Sequence, residues 1–165
     1  MSAEIVHTLR TDEIPPEGVA VTVLADEAAR AALAARLGIP SVLALACTLH
    51  LTRAAAGVIH VRGRLTARLR RVCVISLAEF EAGQAEDFEL RFVPAGSESA
   101  AFDPDAPDEI PYSAGRLDLG AAVAEQLALG LDPYPRAPDA PAYEAPGPEA
   151  SENPFARLAR LRPRP

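Results

Sequence analysis

Lysine is missing from all 165 residues of this chain, and so is tryptophan; its sixteen basic residues are all arginine. With the wealth of alanine and sixteen prolines, that choice points to a compositional bias of the genome and carries no function by itself. Aromatics make up only 5% of the chain, so the core must rest on Leu, Val, Ile and five Phe. Two cysteines, Cys47 and Cys73, are too few for a disulfide framework. No apolar run approaches the roughly 20 residues that span a bilayer. Met1–Arg10 lacks the apolar segment and small-residue cleavage site of a secretion signal. These absences lead us to expect a protein of the bacterial cytoplasm with no membrane partner.

A local absence says more. From Ala28 to Ala78 there is no acidic residue, although the chain carries a net charge of -7. The same window holds Arg30, Arg36, Arg53, Arg62, Arg64, Arg68, Arg70 and Arg71. Residues 1–96 have ten arginines against eleven acids, and residues 97–165 have six against twelve. The acidity therefore sits mainly in the second part, and the first part is nearly neutral but polarised.

Hydrophobic spacing supplies the elements. Val19–Leu24 alternates and reads as a strand. Asp26 is a good helix cap, Ala28–Leu37 reads as a helix, and Gly38 with Pro40 stops it. Val42–Thr52 has period two, with Leu43, Leu45, Cys47, Leu49 and Leu51 directed to one side. Val58–Val72 follows as a long strand, so the two predict a hairpin. Its apolar face carries Ile59, Val61, Leu65, Ala67 and Leu69; its polar face carries His60, Arg62, Arg64, Thr66, Arg68 and Arg70. Gly63 falls on the apolar face and marks a bulge or a close packing contact. Glu86–Val93 alternates again, turning Phe88, Leu90 and Phe92 inward and Asp87, Glu89 and Arg91 outward. After an acidic loop over 96–109, Ile110–Ser113 reads as a short strand. Asp118 caps a helix over Leu119–Leu131 with Leu119, Val123, Leu127 and Leu131 as its buried stripe.

Beyond Leu131 prolines recur at 133, 135, 138, 141, 146 and 148, which no long helix or ladder tolerates. The expected organisation is one α+β domain over residues 1–131, mainly an antiparallel sheet with two packing helices, and a Pro-rich tail over residues 132–165. That tail reads as extended or disordered, with one short helix at Phe155–Leu161.

The arginines of the second long strand are the leading site. Residues at i and i+2 stand about 7 Å apart on one face, close to the phosphate spacing of a nucleic-acid strand. Arg62, Arg64, Arg68 and Arg70, with Arg71 beside them, form a candidate surface for RNA. The competing account pairs these arginines across the sheet with Asp87 and Glu89. Zinc would need a second cysteine near Cys73, and Ser76 stands there instead; Cys47, His50 and His60 do not form a ligand spacing. Asp103, Asp105, Asp108 and Glu109 lack calcium-loop spacing. There is no nucleophile elbow, phosphate loop, dinucleotide turn or zinc helix. We expect no enzyme, no cofactor, no metal and no small-molecule substrate.

Two segments resemble a known family. One is Cys73-Val74-Ile75-Ser76-Leu77 with Phe80, followed by Phe88-Glu89-Leu90-Arg91-Phe92. The other is Leu117-Asp118-Leu119-Gly120, then Val123–Leu129 with Glu125, then Asp132-Pro133-Tyr134-Pro135-Arg136. Together they are similar to the YceD family of large ribosomal RNA subunit accumulation proteins, in the form seen in alphaproteobacteria, over roughly residues 3–143. The resemblance implies a role in 23S ribosomal RNA accumulation and large-subunit biogenesis, without known catalysis. It implies as partner either 23S ribosomal RNA itself or a large-subunit ribosomal protein or processing factor. Many members carry Cys-x-x-Cys-Leu where this chain has Ser76 in place of the second cysteine. A tight turn with Cys73 packed inward is expected there. Tyr134 and Arg136 match the family pattern and form a candidate second contact point; the favoured account instead packs Tyr134 on the sheet, anchored between Pro133 and Pro135.

Overall fold

The computed structural model describes residues 5–99 and 106–141. In chain order the elements are β1 (Thr8–Arg10), β2 (Val19–Leu24), α1 (Glu27–Leu37), β3 (Ser41–Arg53), β4 (Ile59–Val72), β5 (Glu79–Pro94), β6 (Asp108–Tyr112), β7 (Arg116–Asp118) and α2 (Leu119–Leu129). Five strands form one sheet in the order β2-β3-β4-β5-β6, antiparallel throughout except for the parallel β5–β6 pair. β1 and β7 form a separate antiparallel pair. The fold is α+β with a mostly antiparallel sheet.

The alternation that names the strands also makes the core. Leu45, Cys47, Leu49 and Leu51 of β3 and Val61, Leu65 and Leu69 of β4 are buried on one face. Ala29 and Leu33 of α1 and Leu119, Val123 and Leu127 of α2 pack into the same cluster. Both helices therefore cover one face of the sheet. The opposite face of β4 stays exposed at His60, Arg62, Arg64, Thr66 and Arg68. The caps are as the sequence requires: the Ala29 amide donates to Asp26 Oδ1 at 2.8 Å, and the Ala121 amide to Asp118 Oδ1 at 2.9 Å. Gly38 ends α1 in the left-handed conformation.

Three details differ from expectation, and a fourth, at Gly63, decides between two readings. The β3–β4 register shifts between Val42 and Ala44, so Val42 is buried and Leu43 is only half-buried. An extra residue in one strand breaks the two-residue period there. β5 begins seven residues before Glu86, because its first half, Glu-Phe-Glu-Ala-Gly-Gln-Ala, is poor in strand formers and is held by pairing with β4. Gly63 sits in regular register opposite Phe88 and marks a close contact. α2 stops at Leu129, which leaves Leu131 half-buried beyond the stripe. The expected helix at Phe155–Leu161 and the residues Asp103 and Asp105 lie outside the described residues.

Candidate functional site

Two features stand out, and the first is the open face of β4. Arg62, Arg64, Arg68 and Arg70 project from it together, with side-chain exposures from 79% at Arg62 to 43% at Arg70. Arg71 does not join them. Consecutive strand residues point to opposite faces, so Arg71 turns to the helix side and is only 9% exposed. There its Nη2 donates to the Asp132 carbonyl at 2.6 Å.

The four exposed arginines have neighbours of opposite sign. β5 places Glu89 opposite Arg62, Asp87 opposite Arg64 and Glu81 opposite Arg70. The ion pairs are Arg62 Nε–Glu89 Oε1 at 3.0 Å, Arg64 Nη1–Asp87 Oδ2 at 3.1 Å and Arg70 Nη2–Glu81 Oε1 at 3.3 Å. Arg68 faces Gly83 and reaches Glu81 only at 4.0 Å. Exposed pairs of this kind contribute about 0.2–1 kcal/mol each. On the other flank β3 offers Ala46, Thr48 and His50, with no acid. The result is a positive row beside a negative row. This is the cross-strand pairing with Asp87 and Glu89 that the sequence offers as the competing account, extended by Glu81.

The second feature joins two segments far apart in sequence. Cys73–Ala78 forms a tight turn: the Cys73 amide donates to the Ala78 carbonyl and the Leu77 amide to the Cys73 carbonyl, both at 2.9 Å. Leu77 takes the left-handed conformation at φ 58, an uncommon state for a branched side chain. The Cys73 side chain is fully shielded, as the resemblance led us to expect. Its sulfur accepts from the Ile75 amide at 3.4 Å and the Ser76 amide at 3.5 Å. Residues 132–141, which carry no helix or strand, run against this turn. The Val74 amide donates to the Pro135 carbonyl at 2.9 Å, and Arg71 holds the Asp132 carbonyl.

The two cysteines have opposite environments. Burial in the core pushes the Cys47 thiol up to about 12. Cys73 lies under its turn, outside the main core cluster, and its thiol is lowered from 9.0 to about 7. The Ser76 hydroxyl is the largest cause, followed by the amides of Ser76 and Ala137, with desolvation opposing them and the Ile75 amide adding a little. A thiol whose folded pKa lies below its unfolded value adds stability above the unfolded pKa and loses it as pH falls through the folded one. Stability should therefore rise between about pH 7 and pH 9, where the two pKa values lie. Urea midpoints across that window should show the rise in wild type and a flatter profile in Cys73→Ala. The same slope in both would disprove donor-held thiolate character.

A comparison with known families identifies the molecule that carries these features. The model for the large ribosomal RNA subunit accumulation protein YceD matches residues 61–162, more than half of the chain. The chain belongs to the YceD family. No curated protein and no solved structure matches it. The family is named for accumulation of the large ribosomal RNA, so this chain's role lies in that process. The matched span takes in most of β4, the Cys73 turn, α2 and the Asp132–Arg136 segment.

The YceD motif residues do not all gather at one place. Cys73, Leu77 and Pro133–Arg136 converge at the turn, where Asp118 does not take part; it caps α2. Glu125 is exposed on α2 and has no ion pair among the described residues. Tyr134 departs from the packing account: the residue is 71% exposed. Its amide donates to Asp132 Oδ1 at 2.8 Å, and the carbonyls of Asp132 and Pro135 are turned inward to Arg71 and Val74. With the backbone so held, Tyr134 faces solvent. Val72, Val74, Leu77, Leu129 and Tyr134 account for five of the seven large apolar residues exposed on the described protein. Val74 and Leu77 lie on the turn and Tyr134 on the segment bonded to it; Val72 and Leu129 are the last residues of β4 and α2, which lead into them. Sequence reasoning missed Val74 and Leu77 as surface residues, since an apolar residue beside a strand end reads as core.

His50 and His60 are exposed, and no group of three potential metal ligands occurs among the described residues. No helix of the described residues is long and apolar enough to cross a membrane.

Proposed function

We propose that this YceD-family chain promotes large-subunit ribosomal RNA accumulation as a non-catalytic adaptor that docks a protein partner of the assembling subunit. The observation that carries this reading is the exposure of Val74, Leu77 and Tyr134 on two segments that are bonded to each other. Rigid aromatic and aliphatic side chains at low entropic cost are the usual anchors of protein interfaces. The paired charges of β4 and β5 point the same way. A polyanion laid on the arginines would also meet Glu81, Asp87 and Glu89, whereas a protein surface can complement both rows.

A second reading keeps direct contact between 23S ribosomal RNA and Arg62, Arg64, Arg68 and Arg70. The exposure of these groups and the acid-free β3 flank favour it, since weak pairs yield readily to phosphate. Co-sedimentation with isolated large-subunit particles, beside binding to a naked 23S ribosomal RNA fragment, separates the two. Under the adaptor reading Leu77→Ser/Tyr134→Ser loses particle binding by roughly tenfold or more, and Arg64→Glu/Arg68→Glu retains it. Salt-steep binding to naked RNA, abolished by the charge reversal and untouched by the apolar variant, would overturn it in favour of the second reading.

A further inference from the structure

A cavity of about 210 Å³ lies where the exit of α2 crosses the first half of β5. Its lining brings together three residues with donor side chains, Arg71, Gln84 and Arg136, beside Phe80 and Gly83. Arg71 is the most unusual of them. It is nine-tenths buried and makes one hydrogen bond, to the neutral carbonyl of Asp132. Among the described residues it has no carboxylate partner, although a buried guanidinium is costly to hold unless an anion or several acceptors surround it. The Gln84 Nε2 is shielded from solvent and donates to nothing. Arg136, an exposed residue of the same lining, also has no acidic partner among the described residues.

The acceptors nearby do not answer these donors. Asp132 lines the cavity, but its Oδ1 receives the Tyr134 amide and its carbonyl receives Arg71. The carboxylate of Glu86 sits beside Gln84 against Gly130, outside the cavity lining, and does not accept from the amide. Two permanent positive charges and one unused amide group therefore line one space whose single carboxylate, that of Asp132, is engaged with the Tyr134 amide and pairs with neither arginine.

We propose that this cavity binds a small oxyanion, with Arg71 and Arg136 gripping it and Gln84 donating the third bond. The chemistry required is that of a carboxylate or phosphate group, since a guanidinium matches the paired oxygens of either. The site shares the Asp132–Arg136 segment with the proposed docking surface, but uses neither its exposed apolar side chains nor the exposed β4 arginines.

Nuclear magnetic resonance of the full chain tests it through the side-chain NH2 signal of Gln84. Inorganic phosphate and glutarate are titrated separately at constant ionic strength. A saturable shift of that signal with either anion, weakened roughly tenfold in Arg136→Gln by loss of a charged donor, supports the site. The variant Arg64→Gln, on the far face, should bind as wild type does. Saturation by only one of the two anions assigns the class. No saturable shift with either, or equal affinity in wild type and Arg136→Gln, overturns the proposal. Gln84→Leu followed by backbone signals around Arg71 gives a second readout, and undiminished binding there would also count against it.

Discussion

Replacing Gly120 with valine should destabilise the protein by about 3 kcal/mol and lower its melting temperature by roughly 10 °C. Gly120 is the second residue of α2, and the N-terminal segment crosses directly over it. A β-carbon there would lie 1.9 Å from the Ile5 carbonyl oxygen, 2.8 Å from its carbon and 3.2 Å from the His7 nitrogen. These are backbone atoms, so no rotamer change relieves the clash. The segment cannot simply lift away. The amides of Leu119 and Gly120 donate to the His7 carbonyl at 2.9 and 3.1 Å, which supplies part of the start of α2. Ile5 is buried in the core, and β1 begins at Thr8 on its pairing with β7. Moving the segment therefore loses helix-start bonds, a buried side chain and a strand pair together. Urea denaturation followed by circular dichroism measures the effect. A valine variant as stable as wild type would show that the segment does not bear on α2 in solution.

The second large effect is expected at Gly63, in the middle of the central strand. A β-carbon on this residue would fall 2.2 Å from Cζ of Phe88 and about as close to both Cε atoms, inside the space of the ring. Phe88 is the cross-strand partner of Gly63 and covers the bare backbone that a glycine exposes. Gly63→Ala should cost about 2 kcal/mol, because the ring must swing off its packing site. In a Phe88→Ala background the same change should cost nothing or stabilise slightly, as alanine orders a strand better than glycine does. The double-mutant cycle thus predicts a coupling near the full cost of the single change. Additive effects of the two substitutions would refute the ring-over-glycine arrangement.

These two glycines illustrate which inferences a sequence permits. Gly63 could be located on the apolar side of a strand from period two alone, and a close contact was one of two readings open there. Its partner could not be chosen, because pairing depends on where β5 runs. Gly120 gave no such signal: a glycine at the start of a helix has no periodic role, and the segment that needs its bare face is over a hundred residues earlier. The candidate site divides in the same way. The shared face of Arg62, Arg64, Arg68 and Arg70 follows from alternation, and so does the opposite direction of Arg71. Of the carboxylates beside the row, Asp87 and Glu89 are the cross-strand partners that the sequence offers as the competing account, whereas Glu81 is added only by the register. Tyr134 was read as a packed anchor because prolines flank it; the bonds from Arg71 and Val74 that turn it outward come from residues sixty positions away.

By itself, then, the sequence determined what depends on neighbours along the chain: the caps at Asp26 and Asp118, the two helices, the faces of β3 and β4, the inward Cys73 and the family to which its motifs belong. The caps, the helices and the faces rest on local hydrogen bonding or on a two- or 3.6-residue period, which the order of residues encodes directly, whereas the inward Cys73 and the family rest on the resemblance of the motifs. Only the tertiary structure decided the rest: the register that sets Glu89, Asp87 and Glu81 against the arginines, the joining of the Cys73 turn to the Asp132–Arg136 segment, and the cavity between Arg71, Gln84 and Arg136. Those contacts are made between strands and segments whose relative placement minimises the energy of the whole core, and no local pattern specifies that placement.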